Sequence, residues 1–279
     1  MKFSCRVLLF WLLLNDKTKS MNKNLIKNHW LVVAASGLLI GLGSCSSGYS
    51  VVSVEGGRFP MTEAYDVNPD ARAEAILAPY KRQVDSIMSP VIGHSAATLT
   101  SQRPESPLSN LIADVLRRSA SSVIGGEADV AVMNMGGIRN ALPEGVVTFG
   151  TIYEIAPFEN ALCVLTMDGK TLIRLFEQIA AVHGEGLSGA RLVITSDGKL
   201  VDAKVGGKSV DPRKDYTVAT IDYLAEGNDK MPAFRDAKSK TFPKDKVLRD
   251  LLIDYVKQCE EKGQFVTART EGRIKVSED

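Results

Sequence analysis

One short segment places two glycines and an arginine directly after an apolar run. It reads Asn134-Met135-Gly136-Gly137-Ile138-Arg139-Asn140 and follows the apolar residues Val130-Ala131-Val132-Met133. Glycine lets backbone amides approach a ligand closely, and arginine presents a planar fork that matches a phosphate or a carboxylate. The alternative is a tight turn with a solvated arginine. The candidate ligand-binding residues of this segment are Asn134, Gly136, Gly137 and Arg139.

A second segment places an aromatic ring two residues before an amide. It reads Ala156-Pro157-Phe158-Glu159-Asn160 and precedes a predicted strand. An aromatic face can stack on a flat ring, and an amide can pair with a base edge or a hydroxyl. The alternative places Phe158 in the core and makes Asn160 a turn residue.

A third segment runs from a tyrosine to an aspartate six residues later. Tyr223 stands near the end of a predicted strand, and Asp229 lies in the loop that follows. A carboxylate can hold a vicinal diol through two hydrogen bonds. The alternative is a turn acid beside an interface tyrosine.

The elements that must position these segments alternate between helical and strand patterns. Apolar residues recur at helical spacing after Asn68-Pro69 up to Ser89-Pro90. Gly206-Gly207 between two short strands indicates a hairpin, which breaks an otherwise alternating order. The pattern predicts an α/β (mixed α+β) fold, a single layered domain with a mixed sheet over residues 68–279. Further predicted strands are 91–99, 129–134, 161–167, 191–195, 216–224 and 273–276, and further predicted helices include 170–181 and 246–262.

The first 67 residues carry a different signal. An apolar run of eleven residues, Val32 to Leu42, suits a signal peptide and ends in Leu42-Gly43-Ser44-Cys45. Small residues before a cysteine resemble the lipobox of bacterial lipoproteins, in which that cysteine is diacylated. We therefore expect residues 1–45 to be a signal peptide with a lipobox, with Met21 as the true start, and 46–67 to be a tether. The alternative is an ordinary signal peptide with a chance cysteine.

That interpretation predicts a protein anchored by lipid to the bacterial cell envelope. The whole chain carries 34 Lys and Arg against 33 Asp and Glu, so it has no charge bias toward a nucleic acid polymer. Hydrophobic residues make up 44%, which is ordinary for a globular protein. Four cysteines in 279 residues do not form a disulfide framework.

Together the three motifs resemble the C-terminal, substrate-specificity domain of the bacterial and animal 5′-nucleotidases and UDP-sugar hydrolases. The order is Asn-x-Gly-Gly-Ile-Arg, then Pro-Phe-x-Asn, then an aromatic residue followed by x₅-Asp. Further matches are Ser-Asn-Leu-Ile-Ala-Asp at 109–114, Met-Asp-Gly-Lys at 167–170 and Val-Asp-Pro-Arg-Lys-Asp-Tyr at 210–216. The resemblance runs from Val91 to Val276 and implies that family's domain fold.

The resemblance implies a role for each matched position in holding a nucleotide or nucleoside. Arg139 would hold the substrate phosphate. Phe158 and Tyr223 would sandwich the base, although the family usually has Phe at the second position. Asn160 would contact the base edge, and Asp229 the ribose hydroxyls.

Two positions depart from the family pattern. The family has a phosphate-binding arginine where this chain has Gln102, and Arg103 follows one residue later. Arg103 is a candidate after a one-residue slip; otherwise the site is weakened. The family's Gly-Gly-Asp-Gly loop is here Gly227-Asn228-Asp229-Lys230, which either adds polar groups near the ligand or marks a loop that no longer binds nucleotide.

In the full-length family the chemistry belongs to a metallophosphatase domain with two metal ions. This sequence has three histidines, His29, His94 and His183, at no metal-ligand spacing, so we expect no catalytic or metal site in this chain. Three functions remain open. A separately encoded metallophosphatase, carrying two divalent metals, docks with the chain and the pair hydrolyses nucleotides. Alternatively, the chain is a non-enzymatic nucleotide- or nucleoside-binding envelope lipoprotein, or it keeps the fold for a structural role.

Overall fold

A computed structural model describes residues 51–277 of the chain. The chain divides into two units, Met1–Val67 and Asn68–Asp279. In the described part of the first unit the backbone is irregular apart from one 3₁₀ turn, Glu63–Tyr65, and its side chains are exposed. Met21 and the predicted lipid-attachment residue Cys45 lie outside the described residues.

The helices of the second unit differ widely in length, and two of them are single turns. Among residues 51–277, no helix has the length and apolar character needed to cross a bilayer. The helices described in this unit are α1 (Ala71–Met88), α2 (Pro107–Ser119), α3 (Ser121–Ile124), α4 (Phe149–Ile155), α5 (Gly169–Ala181), α6 (Asp222–Ala225) and α7 (Leu248–Glu261), of which α3 and α6 are the single turns.

The strands described in this unit, up to residue 277, form three sheets. They are β1 (Val91–Ser95), β2 (Val130–Met133), β3 (Gly145–Thr148), β4 (Leu162–Asp168), β5 (Gly186–Ser188), β6 (Ala190–Ile194), β7 (Leu200–Val205), β8 (Lys208–Ser209), β9 (Asp215–Ile221), β10 (Ser239–Thr241) and β11 (Ile274–Val276).

The largest sheet has the strand order β10-β4-β9-β2-β5, and it is mixed. Strands β2 and β9 run parallel, whereas β4 pairs with β9 antiparallel from Leu162↔Ile221 to Asp168↔Asp215. A four-stranded sheet has the order β11-β6-β7-β8, and β1 pairs with β3. The predicted mixed α/β fold is therefore confirmed.

Local sequence accounts for the central elements. All four residues of β2 are buried, as expected for a strand covered on both faces. Asp168 is the last residue of β4. Its side chain caps α5, because its Oδ1 accepts a hydrogen bond from the Thr171 amide at 2.8 Å. Helix α2 packs against β2, β5 and β9, while α5 packs against β4, β7 and β9. These two helices therefore help to bury the central strands β2, β4 and β9.

Several predicted boundaries are shifted in the structure, and the strand predicted over 91–99 ends at Ser95. Helix α1 begins at Ala71 rather than after Asn68, because the Asp70 side chain caps the amides of Arg72 and Ala73. The strand predicted over 216–224 ends at Ile221, and α6 follows it. Tyr223 therefore lies in a helical turn rather than at a strand end.

The apolar stripe of α1 is exposed, although its spacing correctly predicted a helix. Five of its large side chains each keep more than half of their surface accessible. Helical periodicity establishes which residues share a face, but it does not establish what covers that face. The exposed residues are Ile76, Leu77, Tyr80, Val84 and Ile87.

Candidate functional site

The three polar segments meet around one cavity of about 340 Å³. That volume is at the lower end of the range of about 300–1,000 Å³ that small-molecule pockets occupy. Every lining residue belongs to the set that the sequence indicated, whereas Arg103 and Arg139 lie outside the lining. The lining residues are Asn134, Gly136, Gly137, Phe158, Asn160, Tyr223 and Asp229.

The strand order explains why distant segments meet. Strands β2 and β9 are parallel neighbours, so the turn after β2 and the helix α6 after β9 leave the sheet at the same edge. Strand β4 is antiparallel to β9, and its first residue Leu162 pairs with Ile221, the last residue of β9. The loop before β4, which carries Phe158 and Asn160, therefore reaches that edge as well.

Two aromatic rings line the cavity and are partly open to solvent. Phe158 is 46% exposed and Tyr223 is 43% exposed. A half-exposed ring is not a core side chain, so the alternative that placed Phe158 in the core is wrong. Rings in this setting can present their faces to a flat apolar ligand.

The carboxylate of Asp229 is held on both of its oxygens. The Tyr223 hydroxyl donates to Oδ1 at 2.9 Å, and Nδ2 of Asn134 donates to Oδ2. The hydrogen bond to Asp229 and the nearby negative charge raise the pKa of Tyr223 above its usual range. Asp229 also adopts a left-handed backbone conformation with φ of 52°. Its orientation in the cavity is thus defined by two side chains and by the loop.

The glycine turn after β2 brings backbone close to the cavity. Residues Met135–Gly137 form a 3₁₀ turn. A Cβ atom at Gly137 would lie 2.8 Å from Oδ1 of Asn134 and 2.6 Å from Cε of Met133, so a side chain there would require these two side chains to shift. Oδ1 of Asn134 is buried and has no hydrogen-bond partner within residues 51–277.

Arg139 lies beside the glycine turn and is exposed. Its Nη1 donates to the Gly136 carbonyl at 3.1 Å, and its backbone amide donates to the Ile155 carbonyl at 2.9 Å. A guanidinium carries five N–H donors, and this contact uses one of them. The side chain therefore lies next to Gly136, a lining residue of the cavity, with donors that an anion can take.

Arg103 is engaged elsewhere. Its Nε donates to the Gly184 carbonyl at 2.8 Å, and its Nη2 is ion-paired with Glu185. Glu185 is buried and also accepts a hydrogen bond from the Met135 amide at the start of the glycine turn. Burial raises the pKa of the Glu185 carboxyl, against the lowering effect of the Met135 amide and Arg103.

Sequence reasoning missed Glu185 as a support of the glycine turn. It lies 50 residues from Met135 in the chain. The only local signal is an acid placed between two glycines, in Gly184-Glu185-Gly186. Such a signal does not identify a partner so far away.

Neither His94 nor His183, the histidines of the described chain, belongs to a cluster that could hold a metal ion. Nδ1 of His94 lies 3.1 Å from Oε2 of Glu260, and its ring contacts the Phe265 ring. His183 has a positive φ of 60° at the end of α5. Among residues 51–277, no cluster of three or more His, Cys, Asp or Glu side chains could hold a metal ion. The described residues therefore do not fit a two-metal centre.

Comparisons with known proteins show which family this chain is similar to. A family model described as "5'-nucleotidase, C-terminal domain" matches residues 91–236. Endonuclease YhcR of Bacillus subtilis is 34% identical over 223 residues, which are 76% of this chain and 17% of that protein. Protein UshA of Escherichia coli is 33% identical over 109 residues, which are 38% of this chain and 20% of UshA.

Solved structures agree with the sequence comparison. A 5′-nucleotidase precursor from Thermus thermophilus superposes with a TM-score of 0.66 and 27% identity, covering 75% of this chain and 43% of that one. This chain spans about a fifth or less of the length of YhcR and UshA. The match includes the three segments that line the cavity, so the chain belongs to the 5′-nucleotidase C-terminal domain family.

Proposed function

We propose that this domain is the nucleotide-binding half of a 5′-nucleotidase and that it acts in nucleotide breakdown with a separately encoded metallophosphatase. The observation that supports this most is the cavity in which Phe158, Tyr223 and Asp229 meet. Two aromatic faces and a carboxylate are the groups that recognise a base and a vicinal diol. A nucleoside carries both of these in one molecule.

The base would lie between the rings of Phe158 and Tyr223. Stacking of a base on an aromatic side chain contributes about 1–3 kcal/mol per base. Asn160, in the same lining, would pair with the edge of the base through its amide. The Asp229 carboxylate would accept hydrogen bonds from the two ribose hydroxyls.

The phosphate would be held at the glycine turn. Gly136 is exposed and lines the cavity, and Arg139 contacts its carbonyl. A phosphate that leaves the cavity on this side meets the guanidinium fork of Arg139, which suits bidentate contact. Arg103 is a weaker candidate because Glu185 already pairs with it.

Hydrolysis of the phosphate ester would depend on the partner. The described residues do not fit a metal centre, so this chain would supply recognition of the substrate only. The two divalent metals would belong to the metallophosphatase. A relative named as a trifunctional nucleotide phosphoesterase, YfkN of Bacillus subtilis, is 28% identical over 240 residues and is several times longer, since these residues are 16% of its length. A lipid anchor at Cys45 would keep the pair at the cell envelope.

Two measurements test this function. Calorimetry with adenosine, uridine and their 5′-monophosphates is expected to show binding with a dissociation constant between micromolar and millimolar. Phosphate release is then measured with this protein alone, with the candidate metallophosphatase alone and with both, in the presence of Mn²⁺. The mixture is expected to hydrolyse 5′-nucleotides faster than either protein. Binding without any gain in hydrolysis would instead support a nucleotide-binding lipoprotein, and no binding would contradict both.

A further inference from the structure

We propose that Arg249 is a positioning residue that fixes the Phe158 loop, residues 156–161, in the geometry needed to hold a base. Arg249 lies in the first turn of α7 and is only 8% exposed. It is not part of the cavity lining. The inference rests on the proposed function for the identity of the ligand, but the contacts themselves do not depend on it.

Three contacts join the Arg249 guanidinium to the segment that leads into the cavity. Nη2 is ion-paired with the carboxylate of Glu159, and Nη1 lies 3.4 Å from the Pro157 carbonyl. The guanidinium carbon lies 4.4 Å from the centre of the Tyr153 ring. One planar group therefore links α4, which carries Tyr153, to the residues on both sides of Phe158.

The backbone next to Arg249 holds the other end of the same loop. The Leu248 amide donates to the Asn160 carbonyl at 2.8 Å, and the Leu162 amide donates to the Lys246 carbonyl at 2.7 Å. The first amides of a helix have no partner within the helix. The Asn160 carbonyl therefore satisfies an otherwise unpaired donor of α7.

These attachments alternate with the cavity-lining residues. Pro157, Glu159 and the Asn160 carbonyl are bound to the start of α7, whereas the side chains of Phe158 and Asn160 line the cavity. Phe158 is half-exposed, so packing of its own ring holds it only in part. The conformation of the loop therefore depends on the contacts that Pro157, Glu159 and Asn160 make with the start of α7.

Because Glu159 is exposed, its ion pair with Arg249 can position the loop without contributing much to the stability of the fold. Its side chain is 72% exposed, whereas that of Arg249 is 9% exposed. Loss of Arg249 would leave a carboxylate that water can solvate, and not a buried unpaired charge. A large loss of stability is therefore not expected from this ion pair. A lysine would keep the charge but lacks the planar fork that reaches two acceptors and stacks on a ring.

The test compares Arg249→Lys and Arg249→Met with a matched control, Arg273→Lys. Like Arg249, Arg273 is buried and lies outside the cavity lining. It forms two ion pairs, to Asp114 and Glu271. Three quantities are measured in the full chain: the melting temperature, adenosine affinity by calorimetry, and amide hydrogen exchange at Leu248 by NMR. Exchange at Leu248 reports the bond to the Asn160 carbonyl and needs no ligand.

Both Arg249 variants are expected to exchange faster at Leu248 and to bind adenosine about tenfold more weakly, the scale expected when a loop and two side chains must be ordered on binding. Arg273→Lys is expected to change neither quantity, even where it lowers the melting temperature. Unchanged exchange and affinity in Arg249→Lys would overturn the proposal, as would equal effects in the control. If the wild type binds no adenosine, the proposed function fails, while faster exchange in the variants still supports the positioning role and unchanged exchange overturns it.

Discussion

The Tyr223 hydroxyl donates a 2.9 Å hydrogen bond to Oδ1 of Asp229, so one aromatic wall of the cavity is tied to the carboxylate in its lining. Oδ2 of the same carboxylate is held by Asn134. Each carboxylate oxygen can accept a second hydrogen bond. The carboxylate is thus oriented by the protein and still able to accept from a ligand diol.

Replacing Tyr223 with Phe tests that relationship. Tyr223→Phe keeps the ring but removes the donor that orients Asp229, so adenosine affinity should fall by about two- to tenfold, the effect of one net hydrogen bond. The melting temperature should stay the same, because the hydroxyl lies at a half-exposed ring. Calorimetry measures the affinity, and Tyr80→Phe on α1 is the matched control. Wild-type affinity in Tyr223→Phe would show that the hydroxyl does not orient the carboxylate for the ligand.

Replacing Phe158 with Ala distinguishes a binding ring from a core ring. Phe158→Ala should abolish detectable adenosine binding, since one face of the base loses its stacking partner. The free energy of unfolding should change by less than the cost of about 3–5 kcal/mol for a buried phenylalanine, because the ring is 46% exposed. Urea unfolding and calorimetry measure the two effects. Phe242→Ala, at a ring of similar exposure outside the lining, should leave binding intact.

Arg139 should matter for nucleotides and not for nucleosides. Arg139→Ala removes an exposed guanidinium next to Gly136, where the phosphate is proposed to lie. The affinity for AMP should fall by about tenfold or more, because a charge-assisted hydrogen bond is lost, while adenosine affinity should be unchanged. Arg213→Ala, also exposed, serves as the control for net charge. Equal losses for AMP and adenosine would place Arg139 at the base or sugar instead.

Lipid attachment is tested at Cys45. Cys45→Ala should release the protein from the membrane fraction or block its maturation, because two acyl chains hold a protein on a bilayer far more firmly than one. Fractionation and mass spectrometry of the mature N-terminus measure this. An unlipidated N-terminus together with unchanged membrane partitioning would contradict the proposed anchor.

The sequence indicated the residues that line the cavity because three short segments, each compatible alone with a turn or a core role, together resemble one family. A glycine pair after a buried strand, or an aromatic residue followed by an amide in a loop, is visible in a few consecutive residues. The supports of these segments are not visible in this way. Glu159 and Arg249 are 90 residues apart, and Met135 and Glu185 are 50 apart, so their contacts exist only because the fold brings the segments to one edge of the sheet.

The same limit applies to α1 and to Tyr223. The 3.6-residue period predicted helix α1, but its apolar stripe is exposed, since burial depends on what the rest of the fold places there. The strand predicted to include Tyr223 ends at Ile221, and the Asp222 side chain accepts a hydrogen bond from the Tyr223 amide at 2.8 Å as α6 begins. A local hydrogen bond of this kind competes with the strand pattern.

Glu185 predicts a specific dependence of stability on pH. Burial raises the pKa of its carboxyl above the ordinary value of 4.5, so the folded protein binds this proton more tightly than the unfolded chain does. The contribution of Glu185 to stability is therefore fully present below pH 4.5, and it is lost as the pH rises through the raised pKa of the folded state. Glu185→Gln keeps an acceptor for the Met135 amide but does not titrate.

The free energy of unfolding of Glu185→Gln and of the wild type is measured by urea denaturation at several pH values from about 3 to about 8, which covers both sides of the ordinary carboxyl pKa. The difference, variant minus wild type, should increase with pH above 4.5, because only the wild type loses stability through this group. A carboxyl dominated by its ion pair with Arg103 would have a lowered pKa, and the difference would then decrease only as the pH rises toward 4.5 and stay constant above it. Such a decrease would show that the pairing with Arg103 outweighs burial.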